Sequence, residues 1–308
     1  MRARRAAKMI AAAIASIVAI GGTSAAAAAA PAAAPDDHRV VAYYQTQVHD
    51  GAYVSPLPLL EQQTGLTDLI VAAIHLNEDP DALTLNDHAP SDARYAQMWQ
   101  DVHAMQDAGV RALGMLGGAA PGTFERLDAD FDTYYPALRD MVTTFGLDGL
   151  DLDVEEPMSL AGIVRLIDAL RSDFGDDFVI TLTPVAPALV GEGNLSGFDY
   201  GALEAQRGSD IDWYNAQFYC GWGTLATTDL YDRIAQRIEP SRVVAIALTD
   251  PSLCGGYVDP ATLETTVGAL ADRYPDFGGI AGWEYYTAAP DGTVEPWRWF
   301  ARMGDAIA

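Results

Sequence analysis

The sequence predicts an α/β protein, and more specifically a (β/α)₈ TIM barrel formed by residues 36–308. Two observations predict this fold. Eight strand-like runs alternate with helical patterns along the chain, and unusual polar and aromatic residues gather where those runs end. Residues 36–308 are enough for one such barrel, which typically takes ~250 residues. Functional residues of these barrels lie at the carboxyl ends of the strands, so a site is expected at that rim.

The predicted strands are short apolar runs bounded by turn-forming residues. They cover residues 39–45, 69–75, 110–116, 150–155, 178–184, 212–219, 242–249 and 278–285. A helix is predicted over residues 159–174, where apolar residues recur at helical spacing between an N-cap, Ser159, and a stop, Gly175. Another is predicted over residues 96–108, with one apolar face formed by Met98, Val102 and Met105.

Residues 1–35 are typical of a signal peptide followed by an Ala/Pro-rich leader. Basic residues precede an apolar run over residues 9–20, which is too short to span a bilayer, and the alanines from Ala25 offer A-x-A cleavage sites. Arg4 and Arg5 also fit a twin-arginine signal. No later run resembles a membrane span, and no change in composition indicates an appended domain. We therefore expect a secreted, extracellular protein with no membrane partner after cleavage.

The chain is strongly acidic, with a formal net charge of −25 at pH 7. Such a charge repels nucleic acids and anionic membranes, so neither is expected as a partner. An uncharged substrate such as a glycan is compatible with it, although solubility alone would explain most of these charges. We expect a monomer.

The chain has two cysteines, Cys220 and Cys254, and each follows a predicted strand. In an exported protein they can form a disulfide, because both would lie at one end of the fold. Two buried free thiols are the alternative. Their spacing does not indicate a metal site.

The most informative segment is the predicted fourth strand. Side chains alternate between the two faces of a strand, so Asp151, Asp153 and Glu155 share one face and form what we call the carboxylate ladder. Like charges stacked along a strand raise one another's pKa, which favours a proton donor near neutral pH. Glu156 lies on the opposite phase and is not expected to be that donor. The alternatives are a solvated strand face or a Mg²⁺ or Ca²⁺ site.

Polar and aromatic residues also follow several other predicted strands. Each has an ordinary explanation as a core or turn residue, but their common position at one rim favours a functional site. The candidates are Tyr44 after the first strand, His75 and Asn77 after the second, Gly117 and Gly118 after the third, Gln217, Tyr219 and Trp222 at the sixth, and Trp283 and Glu284 at the eighth.

These motifs resemble glycoside hydrolase family 18. That family's strand-four signature, D-G-x-D-x-D-x-E, is matched in full by Asp148, Gly149, Asp151, Asp153 and Glu155. Within the family, the chain is most similar to secreted, fungal-type endo-β-N-acetylglucosaminidases, in segments 74–77, 115–122, 213–219 and 282–286. At Cys220 it departs from plant-type chitinases, which tend to carry Asn after the tyrosine, so chitin-specific contacts are not carried over there.

The resemblance implies a retaining, substrate-assisted hydrolysis without cofactor or metal. It makes Glu155 the general acid. Asp153 would hold the N–H of the substrate's 2-acetamido group, whose oxygen attacks the anomeric carbon, and Asp151 would lie deeper and share a proton with Asp153. Gln217 and Tyr219 would orient the acetamido group.

The remaining candidates are implied to bind the substrate. Trp283 would form the apolar floor beneath the sugar that is cleaved, and Tyr44 would pack near the bottom of the site. The other members of this set are His75, Asn77, Gly117, Gly118, Trp222 and Glu284.

The sequence thus favours an endo-β-N-acetylglucosaminidase that cleaves the GlcNAc-β-1,4-GlcNAc core of N-glycans. The polar loop after the second predicted strand suits branched mannose. A chitinase that hydrolyses β-1,4-linked GlcNAc polymers is the alternative. A third reading, a non-catalytic lectin on the same barrel, is disfavoured by the intact Glu155. The glycan type, the pH optimum and any transglycosylation stay open.

Overall fold

Eight parallel strands close a barrel in the computed structural model, which describes residues 38–288 and 294–308. Each strand pairs with the next, and the eighth pairs with the first. The strands are β1 (Arg39–Tyr44), β2 (Asp68–His75), β3 (Arg111–Gly117), β4 (Gly149–Asp153), β5 (Val179–Leu182), β6 (Trp213–Gln217), β7 (Val243–Leu248) and β8 (Gly279–Trp283). The predicted (β/α)₈ barrel is confirmed. The predicted signal peptide and leader, residues 1–35, lie outside the described residues.

Helices connect the strands and cover the barrel. In the described chain they are α1 (Leu57–Glu61), α2 (Ala96–Asp107), α3 (Thr123–Ala129), α4 (Phe131–Phe145), α5 (Leu160–Phe174), α6 (Tyr200–Arg207), α7 (Asp229–Ile234), α8 (Pro260–Arg273) and α9 (Trp297–Ile307). Short 3₁₀ turns cover Ala93–Tyr95, Ala186–Val190, Gly208–Asp210 and Pro240–Arg242. At the rim, strand Val48–His49 pairs antiparallel with Ala52–Tyr53, and Thr84–Leu85 pairs antiparallel with the end of β2.

Local sequence signals set both ends of α5. The Ser159 hydroxyl accepts a 3.0 Å hydrogen bond from the backbone N–H of Gly162, which satisfies one of the free donors of the first turn. Gly175 follows the last helical residue. The apolar face packs into the core through Ile163, Leu166, Ile167 and Leu170. The sequence therefore predicted this helix to within one residue.

The barrel strands bury side chains on both faces, as parallel strands covered by helices do. Outward-facing residues pack with the helices into one large apolar cluster. Inward-facing residues form a second cluster, which includes Val41, Ile70, Leu113, Val179 and Val244. The interior is thus packed rather than hollow, as is usual for this fold.

Charged residues close the end of the barrel where the strands begin. Arg111 pairs with buried Asp68 through two hydrogen bonds of 2.6 Å and 3.0 Å. The guanidinium groups of Arg39 and Arg111 lie 4.4 Å and 5.2 Å from the centre of the Trp213 ring, within the range of cation–π attraction. These residues open strands β1, β2, β3 and β6, so the cluster fixes the strands at the end remote from the rim.

A disulfide joins two loops at the opposite end. Cys220 follows β6 and Cys254 follows β7, and the two are bonded across 34 residues of chain. The structure thus has the disulfide rather than the alternative of two buried free thiols. No helix among residues 38–288 and 294–308 is long and apolar enough to cross a membrane.

Candidate active site

Strand β4 places the carboxylate ladder at the centre of the rim. Asp151 and Asp153 face the barrel interior and are 0% and 4% exposed, whereas Glu155 lies two residues beyond the strand and is partly exposed. Asp153 and Glu155 line a cavity of about 270 Å³, which we call the inner cavity. Seven other predicted catalytic or substrate-binding residues also line it: His75, Gly117, Gly118, Gln217, Tyr219, Trp222 and Trp283.

Asp151 lies beneath the cavity and accepts four hydrogen bonds. Thr181 and Asn215 donate to Oδ1 at 2.5 Å and 3.0 Å, and Tyr43 and Thr183 donate to Oδ2 at 2.8 Å and 2.6 Å. Burial raises the pKa of Asp151, while these hydrogen bonds act in the opposite direction. Because all four neighbours can donate, they stabilise a carboxylate at this position and leave no lone pair for a metal ion.

Asp153 has fewer donors and more negative neighbours. Among the described residues, the one hydrogen-bond donor to its carboxyl group is Gln217 Nε2, at 3.2 Å. Burial, followed by the negative charges of Glu155 and Asp151, raises the pKa of Asp153 well above its usual range. We therefore assign the proton of the Asp151–Asp153 pair in the resting site to Asp153 and the negative charge of the pair to Asp151. Since the two groups are coupled, their titration belongs to the pair.

Gln217 connects Asp153 with Glu155. Its Nε2 lies 2.9 Å from Glu155 Oε1, 3.2 Å from Asp153 Oδ1 and 3.0 Å from the carbonyl oxygen of Thr183. An amide nitrogen carries two hydrogens, so these three acceptors compete for it. The amide thereby holds the exposed end of Glu155 beside the buried Asp153.

Tyr219 offers a donor that the protein itself does not use. Its ring is buried and lines the inner cavity, and its hydroxyl makes no hydrogen bond to any described residue. Burial and the charges of Asp153 and Glu155 raise the pKa of Tyr219 well above its usual range. The phenol therefore keeps its proton and is free to donate to a ligand.

The glycine pair at the end of β3, Gly117 and Gly118, lets the backbone approach the ladder closely. Both residues have left-handed backbone angles, with φ of 90° at Gly117 and 93° at Gly118. The N–H of Gly118 donates to the carbonyl oxygen of Asp153 at 2.9 Å. A Cβ at Gly117 would lie 2.3 Å from the Phe124 ring, and one at Gly118 would lie 2.8 Å from Met115 Cε. The left-handed φ thus favours glycine at both positions, and at Gly117 the backbone carbonyl oxygen of Asp153, 2.7 Å from such a Cβ, also leaves no room for a side chain.

Two tryptophans form apolar walls of the inner cavity. Trp283 packs against Tyr43 with ring centroids 5.4 Å apart. Trp222 lies against the backbone of Gly193, where a Cβ would come within 2.6 Å of the indole ring. Flat, partly exposed aromatic rings of this kind can pack against the apolar face of a sugar.

A second, larger and more polar depression adjoins the inner cavity. This polar cleft has a volume of about 650 Å³ and shares Gln45, His75 and Ala120 with the inner cavity. Its lining is rich in amides, hydroxyls and imidazoles: Gln45, Thr46, Gln47, His75, Asn77, Thr84, Asn86, His88 and Thr123. Burial lowers the pKa of His75, so its imidazole is neutral at neutral pH. The predicted residues His75 and Asn77 therefore lie at this cleft.

Two predicted substrate contacts lie elsewhere. Tyr44 faces outward, is fully buried, and donates its hydroxyl to the carbonyl oxygen of Val54. Glu284 is buried and accepts hydrogen bonds from the backbone N–H groups of Gln45 and Thr46, each 2.9 Å away, so it anchors the loop after β1. Neither residue lines the inner cavity, and both expectations are corrected to supporting roles.

The sequence interpretation missed all four residues that donate hydrogen bonds to Asp151, one of which is Asn215 on β6. Tyr43 rather than Tyr44 points into the barrel, because side chains alternate along β1. Thr181 and Thr183 come from the β5 segment next to β4. A Thr-x-Thr pattern on a strand beside the ladder was the available signal, since both hydroxyls must share one face.

Glu156 faces away from the ladder, as its phase predicts. Its buried carboxylate accepts the backbone N–H groups of Gly122 and Phe124, the latter at 2.7 Å, at the start of α3. This fixes the loop that carries the glycine pair. Among residues 38–288 and 294–308, no cluster of three or more His, Cys, Asp or Glu residues is arranged to hold a metal ion.

Comparison with known proteins identifies a family that matches this chain. The family described as "Glycosyl hydrolases family 18" matches residues 39–245. Among characterised proteins, Chitinase 2 of Rhizopus oligosporus is 31% identical over 203 residues, which cover 60% of this chain and 35% of that protein. Chitinase Chi52 of Paenibacillus xylanexedens is 35% identical over 229 residues, which cover 59% and 43%. The chain thus matches less than half the length of each of these two relatives.

Two solved structures are similar over nearly their whole length. A fungal endo-β-N-acetylglucosaminidase from glycosyl hydrolase family 18 is 45% identical, with a TM-score of 0.84, and the match covers 87% of this chain and 97% of that one. The chitinase ChiC of Aspergillus fumigatus is 50% identical, with a TM-score of 0.81, and the match covers 88% and 100%. The comparisons thus include relatives of both kinds at similar distances.

Proposed function

The chain belongs to glycoside hydrolase family 18, and we propose that it is an endo-β-N-acetylglucosaminidase that cleaves the GlcNAc-β-1,4-GlcNAc core of N-glycans. In this proposal the scissile GlcNAc occupies the inner cavity, beside Asp153 and Glu155. The reaction is retaining and uses the substrate's own 2-acetamido group as the nucleophile, as in other members of this family.

The observation that carries the choice of substrate is the polar cleft beside the inner cavity. Among the described residues of its lining, Tyr95 is the only Phe, Tyr or Trp, and it is buried with its hydroxyl donated to the carbonyl oxygen of Leu85. The cleft therefore offers hydrogen-bonding groups rather than exposed aromatic faces. Branched mannose residues carry many hydroxyls and no acetamido group, so this lining suits them better than a row of stacked GlcNAc units.

Glu155 is the proposed general acid. It is partly exposed at the mouth of the inner cavity, where the glycosidic oxygen of a bound substrate can reach it, and Gln217 fixes its orientation through the 2.9 Å contact with Oε1. In the first step the proton of Glu155 goes to the glycosidic oxygen, and the bond from that oxygen to the anomeric carbon breaks.

The 2-acetamido group supplies the electron pair for the same step. Its carbonyl oxygen forms a bond to the anomeric carbon, which gives a cyclic oxazolinium ion with positive charge on the acetamido nitrogen. Asp153 accepts the acetamido N–H, and the negative charge of buried Asp151 stabilises the ion from beneath. The free hydroxyl of Tyr219 donates to the acetamido oxygen and holds it in line with the anomeric carbon.

Hydrolysis of the oxazolinium ion reverses these transfers. The carboxylate of Glu155 takes a proton from a water molecule, whose oxygen bonds to the anomeric carbon while the bond to the acetamido oxygen breaks. Two inversions at one carbon give net retention. Glu155 returns to its protonated form, and no cofactor is consumed.

A chitinase is the second candidate, and a specific observation favours it. The inner cavity has two aromatic walls, Trp222 and Trp283, which would also suit consecutive GlcNAc units. The 50% identity to the chitinase ChiC of Aspergillus fumigatus supports the same reading. Both candidates require the same chemistry at Glu155 and differ in what the neighbouring cleft binds.

We also propose that the protein is exported. The predicted signal sequence in residues 1–35 supports this proposal. The disulfide between Cys220 and Cys254 supports it as well, because such bonds persist mainly in oxidising compartments.

Mass analysis of reaction products tests the function. Residues 36–308 are incubated with a high-mannose glycoprotein and, separately, with chitin oligosaccharides, with the Glu155→Gln variant as the blank. Release of the glycan with one GlcNAc left on the protein is expected. Shortened chitin oligomers beside an intact glycoprotein would instead establish the chitinase. Binding without any cleavage would point to a lectin.

A further inference from the structure

Arg126, which lines the polar cleft, lacks the carboxylate partner that most arginines of this acidic protein have. The described residues include arginines but no lysine. Most of these arginines lie within 4 Å of a carboxylate. Within residues 38–288 and 294–308, the arginines without such an ion pair are Arg39, Arg126 and Arg237. Arg39 lies at the far end of the barrel, whereas Arg126 lines the polar cleft.

The guanidinium of Arg126 is held in place by the backbone. Its Nη1 donates a 3.1 Å hydrogen bond to the carbonyl oxygen of Leu76. It also lies against Gly122, where a Cβ would come within 2.1 Å of Nη1. Its other N–H groups make no hydrogen bond to the described residues. The side chain is half-buried, so a planar cation with free donors is presented from a fixed position.

The other ionisable groups of the cleft do not neutralise this cation. Asp87, the one carboxylate among the described lining residues, is exposed and makes no ion pair with Arg126. Arg94 is a second cation, paired with Asp92 at 3.3 Å. His75 is neutral, because burial lowers its pKa. Among the described lining residues, Arg126 is therefore the one arginine with no carboxylate within 4 Å, in a chain whose net charge is −25.

We propose that Arg126 anchors a subsite for an acidic substituent, a phosphate monoester or a carboxylate, on the glycan arm that enters the polar cleft. A guanidinium presents paired donors that match the oxygens of both groups, and in a half-buried position such contacts are stronger than in open water. The inference rests on the proposed function, because the cleft adjoins the inner cavity where the scissile GlcNAc would bind.

Binding can be measured without cleavage in the Glu155→Gln protein. Calorimetry compares three oligosaccharides with the same GlcNAc-containing core: a neutral oligomannose, its phosphate monoester, and a sialylated arm of similar length. At least one acidic ligand is expected to bind about tenfold more tightly than the neutral one. Which acidic ligand it is identifies the substituent. The difference is expected to shrink as the salt concentration rises.

Two further substitutions locate the effect. In the Glu155→Gln background, Arg126→Gln is expected to bring the ratio of neutral to acidic dissociation constants close to one. Arg237→Gln removes another unpaired guanidinium, outside the cleft, and is expected to keep the ratio. If thermal unfolding shows that Arg126→Gln does not fold, Arg126→Lys replaces it, and its single ammonium is expected to reduce the ratio.

Equal binding of all three ligands to the Glu155→Gln protein would overturn the proposal, as would a preference that Arg126→Gln leaves unchanged. Because the experiment measures binding and not cleavage, failure of the proposal about Arg126 is distinguishable from failure of the proposed function. An enzyme that leaves glycoproteins intact but cleaves chitin oligomers would contradict the proposed function alone.

Discussion

The hydroxyl of Tyr43 donates a 2.8 Å hydrogen bond to Oδ2 of Asp151 at the base of the active site. Burial, followed by the negative charge of Asp151, raises the pKa of Tyr43 well above its usual range, so the phenol stays protonated. The protein thereby supplies, from a fixed donor, part of the stabilisation that water would give an exposed carboxylate.

The first prediction concerns this contact. Tyr43→Phe removes one of four donors to Asp151, so the ionised form of Asp151 becomes less favourable and its pKa rises. We expect kcat/KM to fall by about tenfold, which corresponds to one charge-assisted hydrogen bond. The acidic limb of the pH–activity profile should move to higher pH. Tyr44→Phe is the matched control, because that hydroxyl bonds to Val54 outside the barrel. Similar profiles for the two variants would contradict the assignment.

The second prediction separates two adjacent glutamates. Glu155→Gln cannot donate its proton to the glycosidic oxygen, so we expect kcat to fall by about a thousandfold or more, with the thermal midpoint nearly unchanged. Glu156→Gln weakens the buried acceptor of the Gly122 and Phe124 N–H groups. It should cost about 1–3 kcal/mol of unfolding free energy while most of the turnover remains. Equal loss of turnover in both variants would show that the assignment is wrong.

The third prediction concerns the crowding at Gly118. Gly118→Ala combines a left-handed φ of 93° with a Cβ that would lie 2.8 Å from Met115 Cε. We expect a loss of stability from the left-handed φ, together with a fall in kcat/KM, because the added Cβ displaces the end of Met115, which lines the inner cavity. Gly109 has a similar φ of 95°, but a Cβ there would have no atom within 4 Å. Gly109→Ala should therefore lose stability only through the strained backbone angle and keep its activity. Full activity of Gly118→Ala in glycan or chitin assays would argue against a role of this close approach.

The fourth prediction follows from the raised pKa of Asp153. A carboxyl whose pKa is higher in the folded than in the unfolded protein binds more protons when folded, so its contribution to stability falls as pH rises above the unfolded value of about 3.9. Asp153→Asn removes this pH-dependent contribution to stability. We expect the variant to lose activity but to be more stable than wild type near pH 7, by a margin that grows from acidic to neutral pH.

A surface carboxylate, Asp168, provides a control in which the contribution to stability changes with pH in the opposite direction. Arg207 lowers the pKa of Asp168 through two hydrogen bonds, so Asp168 stabilises the fold above its unfolded pKa and loses that contribution as pH falls. Asp168→Asn should therefore be less stable than wild type at neutral pH, by a small margin because the pair is exposed. Chemical denaturation between about pH 2 and pH 8 would distinguish the two signs, because this window extends to both sides of the unfolded carboxyl pKa near 4. A wild-type protein that gains stability relative to Asp153→Asn as pH rises would rule out the protonated Asp153.

The sequence by itself determined the barrel and its central strand. Alternation of apolar runs with amphipathic helices is local and repeats along the chain, so it predicted all eight strands. The two-residue period of β4 put Asp151 and Asp153 on one face and Glu156 on the other. Ser159 and Gly175 set the ends of α5 through contacts within a few residues.

Only the tertiary structure decided which of two neighbouring aromatic residues enters the barrel. Alternation says that Tyr43 and Tyr44 face opposite sides, but both sides of a parallel strand are apolar, so the sequence does not distinguish inside from outside. Contacts between distant segments were equally hidden. Glu284 anchors a loop about 240 residues away, and Arg126 comes to line the cleft because barrel closure brings the loops after β1, β2 and β3 together.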